Sequence, residues 1–415
     1  MSAARNFSAR TFAALKVRNF RLYFIGQLIS FSGSWMQSVA QGWLVLKITG
    51  SSVDLGFAIA LQYLPMLVIG SYGGVVADRH LKRPILYFTQ TAAGLLALTL
   101  GILVSLQHVN VYAVYLIAFG LGIVNLFDVP ARQAFVQEMV GRDLIANAVS
   151  LNGVLMNSGR VIGPAIAAGT IALFGIATCF YANAASYIAV LIALWMMRAK
   201  DFSPLRTVTR EKGQMLKGIK YVASTMLLRN TIVAVALIGL FAFNFTVTLP
   251  LLSTKTFHDH SATGYGLLMG AMGLGAVIGG LFVAHRQRPT PKLLAILATS
   301  FGAVMAIVAI SPSLLFAEIA MVPMGAFSIA FVSTANATLQ LNSSEEMRGR
   351  VMSLHGTAFL GTTPIGAPLV GLIVGLTNPR VGMACGAGVT LLAGLWLFIQ
   401  LPASRKSQRE LREAR

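Results

Sequence analysis

Negative charge is what this chain has least of. Asp and Glu number 13 among 415 residues, and all charged types together make up 11%. A soluble domain of that length needs roughly twice as much charge to cover its surface, so a soluble fold is excluded. Cysteine is almost missing as well. Cys179 and Cys385 fall in apolar stretches of opposite halves, which excludes a disulfide framework and a metal site built on thiolates. No Walker-type phosphate loop is present, so ATP is not the direct energy source. The absence of a converging nucleophile, acid and metal-ligand set argues against a membrane enzyme. His258-Asp259-His260 has no third or fourth ligand nearby and reads as a solvated outer loop. Gly273, Gly275 and Gly279 mimic a dinucleotide fingerprint but sit in an apolar span, without the strand, turn and helix it requires. No cofactor and no metal are expected.

What the chain does have is apolar length. Hydrophobic residues make up 56% of it. About 20 consecutive apolar residues cross a bilayer as a helix, and twelve such runs can be marked. They cover 20–46, 54–77, 84–106, 111–131, 149–174, 179–197, 230–252, 264–285, 292–310, 313–336, 350–376 and 380–401. Barrel strands would alternate over about ten residues; these runs are continuous and longer. The expected fold class is all-α integral membrane, with twelve transmembrane helices in two pseudo-symmetric six-helix bundles.

The net charge of +19 is explained by topology. Of 32 Lys and Arg, 28 fall on the side that holds both termini. Lys47, Lys255 and Arg380 fall on the other, and Arg160 alone lies within a span. Cytoplasmic loops carry such an excess, so both termini are expected inside, with the basic segments against anionic lipid and no role for nucleic acid. The leader MSAARNFSARTF has the composition of an organellar transit peptide. It lacks the short apolar region and cleavage site of a signal peptide, and is read as an inner-face anchor.

The chain divides into a cytoplasmic arm at 1–19, a six-helix bundle at 20–197, a linker at 198–229, a second bundle at 230–401 and a tail at 402–415. The linker holds eight basic residues against Asp201 and Glu211. Within it, Met215, Ile219, Val222 and Met226 share one helical face, the pattern of an amphipathic helix on the membrane surface. The two bundles are written on one plan. Val149 to Gly153 corresponds to Met352 to Gly356 at an offset of 203, which sets Gly163 opposite Gly366. Ser51, Gly56 and Gly70 match Ser261, Gly266 and Gly280 at an offset of 210. Transporters are commonly built from such repeats, with substrate held between them near the midplane.

The loop after the second span reads Gly74-Val-Val-Ala-Asp78-Arg79-His80-Leu81-Lys82-Arg83. It resembles the signature Gly-x-x-x-Asp-Arg-x-Gly-Arg-Arg of the major facilitator superfamily, with Leu81 in place of the second glycine. Gly74 would let another helix approach, and Asp78 would sit at the positive N-terminus of the eleventh helix, near Arg132 or Arg350. Breaking that contact would belong to a rocking, alternating-access cycle. The alternative is an ordinary basic loop. In the fifth span, Gly159-Arg160-Val161-Ile162-Gly163-Pro164 is similar to the glycine-proline motif of drug antiporters; small-residue packing with a proline kink also explains it. Asn19-Phe20-Arg21, Gly50-Ser51-Ser52, Asp128 to Gln133 and Arg348 to Met352 extend the resemblance to the branch with siderophore exporters and macrolide efflux proteins. That resemblance implies proton-coupled export of a small amphipathic substrate, from the bacterial cytoplasmic membrane, by a chain that can function as a monomer. A lysophospholipid or other lipid transporter and a non-transporting receptor are the alternatives.

Ionisable groups inside a membrane cost about 2.5–3.5 kcal/mol and default to functional candidates. Arg160 is the deepest and could bind an anionic substrate group, or simply fix packing through Asn157, Asn125 or carbonyls. For Asp128, a proton-relay role competes with an i,i+4 pair to Arg132. Asp54 and Glu318 lie near the outer ends of their spans. No acid lies clearly at the midplane, and Ser34 stands where some relatives have one. Coupling therefore falls to Asp54, Asp128 or Glu318, or to the substrate. Gln37, Gln41, Gln62, Tyr63, Asn152, Asn183, Phe243 and Asn244 are candidates to line a cavity, with core packing as the alternative for each.

Overall fold

The computed structural model describes residues 12–202, 214–259, 261–286, 289–404 and 406–407. The first eleven residues, most of the tail, His260 and the linker stretch 203–213 lie outside the described residues. So do the side chains of Arg142, Asn157 and Met215.

Every long element among the described residues is helical. The helices are α1 (Arg18–Thr49), α2 (Ser52–Arg79), α3 (Lys82–Ser105), α4 (Val111–Val140), α5 (Ile145–Phe174) and α6 (Ile176–Met196). After the linker come α7 (Gln214–Ser224), α8 (Met226–Phe241), α9 (Phe245–Leu251), α10 (Ala262–Arg286), α11 (Pro291–Ala309), α12 (Leu314–Asn342), α13 (Glu345–Phe359), α14 (Thr363–Leu376) and α15 (Pro379–Ile399). Among the described residues, ten helical segments are long and apolar enough to cross a membrane, counting α8 with α9 and α13 with α14 as one each. The helices α1 and α5, of 32 and 30 residues, are also long enough.

Local chemistry sets the ends. Asn110, Thr290, Ser313 and Asn378 each accept a backbone N–H from the first turn of α4, α11, α12 and α15, satisfying donors that a helix start leaves open. Gly141 closes α4 at φ 71°, a left-handed conformation that suits glycine.

Two elements outrun the apolar signal. The fourth run was expected to end at 131, yet α4 continues to Val140. Hydropathy falls at Arg132, but Phe135, Val136 and Met139 pack with Phe20, Tyr23, Leu86 and Leu194, so tertiary burial carries the helix on. Similarly, α12 runs six residues past 336, with Leu339 buried. The seventh and eleventh runs, expected continuous, are each broken. Asn244 starts α9, its Nδ2 donating to Leu240 O at 2.7 Å. Leu360, Gly361 and Thr362 interrupt the other before α14, whose first turn holds Pro364.

The chain forms two compact units: Met1–Leu44 with Leu64–Thr209, and Val45–Tyr63 with Arg210–Arg415. In the first, a Cβ on Gly73 would meet the Leu126 carbonyl, and one on Gly163 would strike Trp35 and Ser32 of α1. In the second, a Cβ on Gly279 would meet the Ala326 carbonyl, and one on Gly366 would meet Leu240 O and Asn244. Each unit thus repeats the same pair of close helix contacts, which only residues without side chains permit. Residues 45–63 belong to the second unit through contacts of this kind: Gly56 lies against Ala367, and Ser52 Oγ donates to Gly371 O at 2.8 Å.

The linker helix corrects one expectation. In α7, Val222 faces the protein, packing with Leu228, Leu339 and Val351, and Gly218 lies against Arg350. Ile219 points outward instead, with Leu216, and Met226 already begins α8. The stripe is thus divided between a packed face and an exposed one.

Candidate functional site

The basic loop between α2 and α3 is tied to the first unit through two side chains, and a third contact joins α1 to the end of α6 beside it. Lys82 Nζ pairs with Glu138 Oε1 at 3.2 Å, both side chains nearly buried. Arg83 Nη2 donates to Leu194 O at 2.6 Å and Trp195 O at 3.4 Å, a cation on the carbonyl end of α6, where the helix dipole favours it. Asn19 exchanges two hydrogen bonds of 3.0 Å with the Arg198 backbone. Asp78 is half-buried in the last turn of α2, and Arg79 is exposed beside it. Gly73, next to Gly74, lies directly against Leu126 of α4. In the second unit, Arg350 is half-buried on α13, its Nη1 3.2 Å from Met347 Sδ.

Ten residues before Glu138 on α4 lies a buried polar cluster. Asp128 is 3% exposed. Its Oδ1 accepts from Thr89 Oγ1 at 2.8 Å and Gln90 Nε2 at 2.7 Å, and its Oδ2 pairs with Arg132 Nη2 at 3.1 Å. The i,i+4 ion pair is therefore present. Arg132 also donates to Gln27 Oε1 at 3.3 Å and lies over the Phe31 ring at 4.5 Å. The set is incompletely satisfied: Gln27 Nε2 and Gln90 Oε1 are buried without hydrogen-bond partners among the described residues. Each such atom costs about 1–3 kcal/mol.

On α5, Gly159 and Gly163 lie directly against Phe31 and Trp35 of α1. That contact fits small-residue packing, and Pro164 follows inside the helix. Arg160, half-buried, stacks over the Trp35 ring at 5.0 Å. The other candidates separate. Gln37 accepts from Asn183 Nδ2 at 2.6 Å and is spent inside the first unit. Asn152 accepts from Tyr23 OH at 3.1 Å. Ser34 and Tyr187 hydroxyls lie 3.3 Å apart. Gln62 is half-buried on α2. Asn244 is buried at the α8–α9 break, beside a ring cluster in which Phe243 meets Phe245, Phe301 and Phe359. Asp54 and Glu318 occupy the early turns of α2 and α12, each half-buried.

Sequence reasoning passed over Glu138, Gln27, Thr89 and Gln90. Nothing local marks Glu138, since its partner lies 56 positions away. A signal for Gln27 was available: Tyr23, Gln27 and Phe31 recur every four residues on one face of α1.

A family model described as transmembrane secretion effector matches residues 9–413. The Staphyloferrin A transporter of Staphylococcus aureus is 26% identical over 365 residues, 85% of this chain and 88% of that protein. The multidrug efflux pump Tap of Mycolicibacterium fortuitum is 25% identical, covering 84% and 88%. The enterobactin exporter EntS of Citrobacter koseri is 25% identical, covering 93% and 92%. Among solved structures, a bacterial homologue of the lysosomal transporter Spinster superimposes with a TM-score of 0.71 at 12% identity, over 96% of this chain and 98% of that one.

Proposed function

Because the chain belongs to the transmembrane secretion effector family of the major facilitator superfamily, we propose that it is a secondary active exporter, driven by protons and carrying small amphipathic molecules of siderophore or drug type. In this reading α1 and α5 join the ten apolar segments to give twelve spans, arranged as two bundles that rock about a central cavity. The chain sits in the bacterial cytoplasmic membrane with both termini inside and works as a monomer. The relatives' names support the direction and the class of cargo.

The observation that carries the coupling is the Asp128 cluster. As a carboxylate, Asp128 is an acceptor only, and Arg132, Thr89 and Gln90 supply its donors. Protonation turns one oxygen into a donor. A half-turn of the Gln90 amide would then present its otherwise unpaired Oε1. Arg132 would lose its counter-charge and become available to an anionic group, on the cargo or on the basic-loop gate formed by Gly74, Asp78, Arg79, Lys82, Arg83 and Arg350. Proton uptake and helix rearrangement are thereby linked at one residue. Asp54 and Glu318, at helix ends, are secondary candidates.

The test is efflux of dyes, antibiotics and catecholate siderophores from pump-deficient bacteria, with and without an uncoupler. Efflux that the uncoupler abolishes is expected, as is its loss in Asp128→Asn at normal expression. Efflux that persists in the variant removes Asp128 from coupling; activity on lysophospholipids alone would replace the cargo class.

A further inference from the structure

The span formed by α13 and α14 contains a histidine that plays no part in the coupling described above. His355 lies ten residues after Glu345, about 15 Å along the helix axis, and five residues beyond Arg350, the last charged residue before it. It is 6% exposed, and its Nε2 has no hydrogen-bond partner among the described residues. Its ring is stacked on Phe359 at 6.4 Å and 13°. Phe359 in turn meets Phe243 edge-on at 4.9 Å.

The surroundings of His355 can be levelled against an apolar cluster. Val351 of α13 meets Leu228 of α8, Leu339 of α12 and Val222 of α7. A two-residue turn, Ser343 and Ser344, joins α12 to α13, so the two run in opposite directions. Four residues forward from Val351 is His355; five residues back from Leu339 is Thr334. The steps are about 6 and about 7.5 Å at 1.5 Å per residue, so the two side chains belong to one level. Thr334 is 1% exposed, and its Oγ1 is also without a partner. On α8, Asn230 follows Leu228 by two residues, is buried, and leaves Nδ2 unpartnered. Three packed helices thus each bring one buried, unsatisfied polar atom to within about two turns of one another.

Charged groups on these elements lie elsewhere. On α13 itself, Glu345, Glu346, Arg348 and Arg350 cluster at the helix start. On α7, Lys217 and Lys220 are exposed, and the Tyr221 hydroxyl accepts the Ser344 N–H at 3.2 Å. On α8, Arg229 is exposed and turned to Ala223 O at 3.4 Å. On α12, Glu318 is 16 residues from Thr334, about 24 Å away along the axis. An imidazolium at this level has neutral partners and no counter-charge. It is stable there when water enters, and unstable when the helices close and exclude it.

We propose that His355 is the proton-carrying residue of the second unit, protonated while its level is open to water and neutral when α8, α12 and α13 pack around it, with Thr334 and Asn230 as its polar partners. This rests on the reading of the chain as a proton-driven exporter, and gives that reading a titratable group deep in the second repeat.

Two measurements test it. Exchange of the imidazole C2 proton, followed by mass spectrometry on the full chain in lipid nanodiscs, needs no substrate. A sigmoidal rate profile for His355 with a midpoint between about pH 5 and 8 is expected; a rate that stays flat across that range overturns the proposal. The second is ethidium uptake into inverted vesicles driven by an imposed proton gradient. His355→Gln is expected to lower gradient-driven uptake at least tenfold while retaining ethidium exchange without a gradient. Equal gradient-driven uptake by variant and wild type overturns the role of His355 and leaves the exporter reading standing. Wild-type transport that ignores the gradient overturns the exporter reading and the coupling role with it, even if His355 titrates.

Discussion

At the scale of single residues, the decisive fact is which polar side chains are already spent. Gln37 Oε1 is taken by Asn183 inside the first unit, and two carbonyls at the end of α6 take Arg83 Nη2. Among the described residues, Arg83 Nε, the Asp128 cluster and His355 retain unmatched atoms. Arg160 stacks on Trp35, a contact worth about 0.5–2 kcal/mol. On the reading that it faces the cargo, Arg160→Ala should lower efflux or cargo affinity at least tenfold at normal folded yield. A variant that transports normally per folded molecule, with only the yield reduced, would assign Arg160 to packing. The check is the transport rate normalised to detergent-solubilised monomer.

At the scale of elements, small residues set how closely helices pack. Gly163 lies where a Cβ would strike Trp35 and the Ser32 carbonyl. Since backbone cannot yield as a flexible side chain can, Gly163→Val should destabilise the α1–α5 contact by about 1–3 kcal/mol. The measurement is the thermal midpoint of the purified protein, with Gly169→Val as the control: no atom lies within 4 Å of a Cβ built there. A midpoint lowered equally in both would refute the contact. Element length has the same origin. The apolar code predicts where a helix meets the edge of the bilayer, whereas α4 ends where Gly141 and the packing of Met139 end it.

At the scale of the whole molecule, the distribution of Lys and Arg makes a prediction independent of any site. Reporters that fluoresce only in the cytoplasm should light up when fused to either terminus and stay dark when inserted beside Lys255. A dark C-terminal fusion at normal expression would refute the orientation. Membrane-spanning character and helical class were both legible in the sequence, because each depends on composition and spacing, to which the bilayer responds locally. Family membership followed from short motifs for the same reason. The site was legible only in part. Asp128 and Arg132 were visible as neighbours on one helix face, but their partners Thr89, Gln90 and Gln27 lie 38 to 105 positions away in the chain. Glu138 meets Lys82, and the span of His355 meets those of Thr334 and Asn230, only after packing. Whether a buried polar atom is satisfied is a property of the groups that surround it in space, and that was decided by the tertiary structure alone.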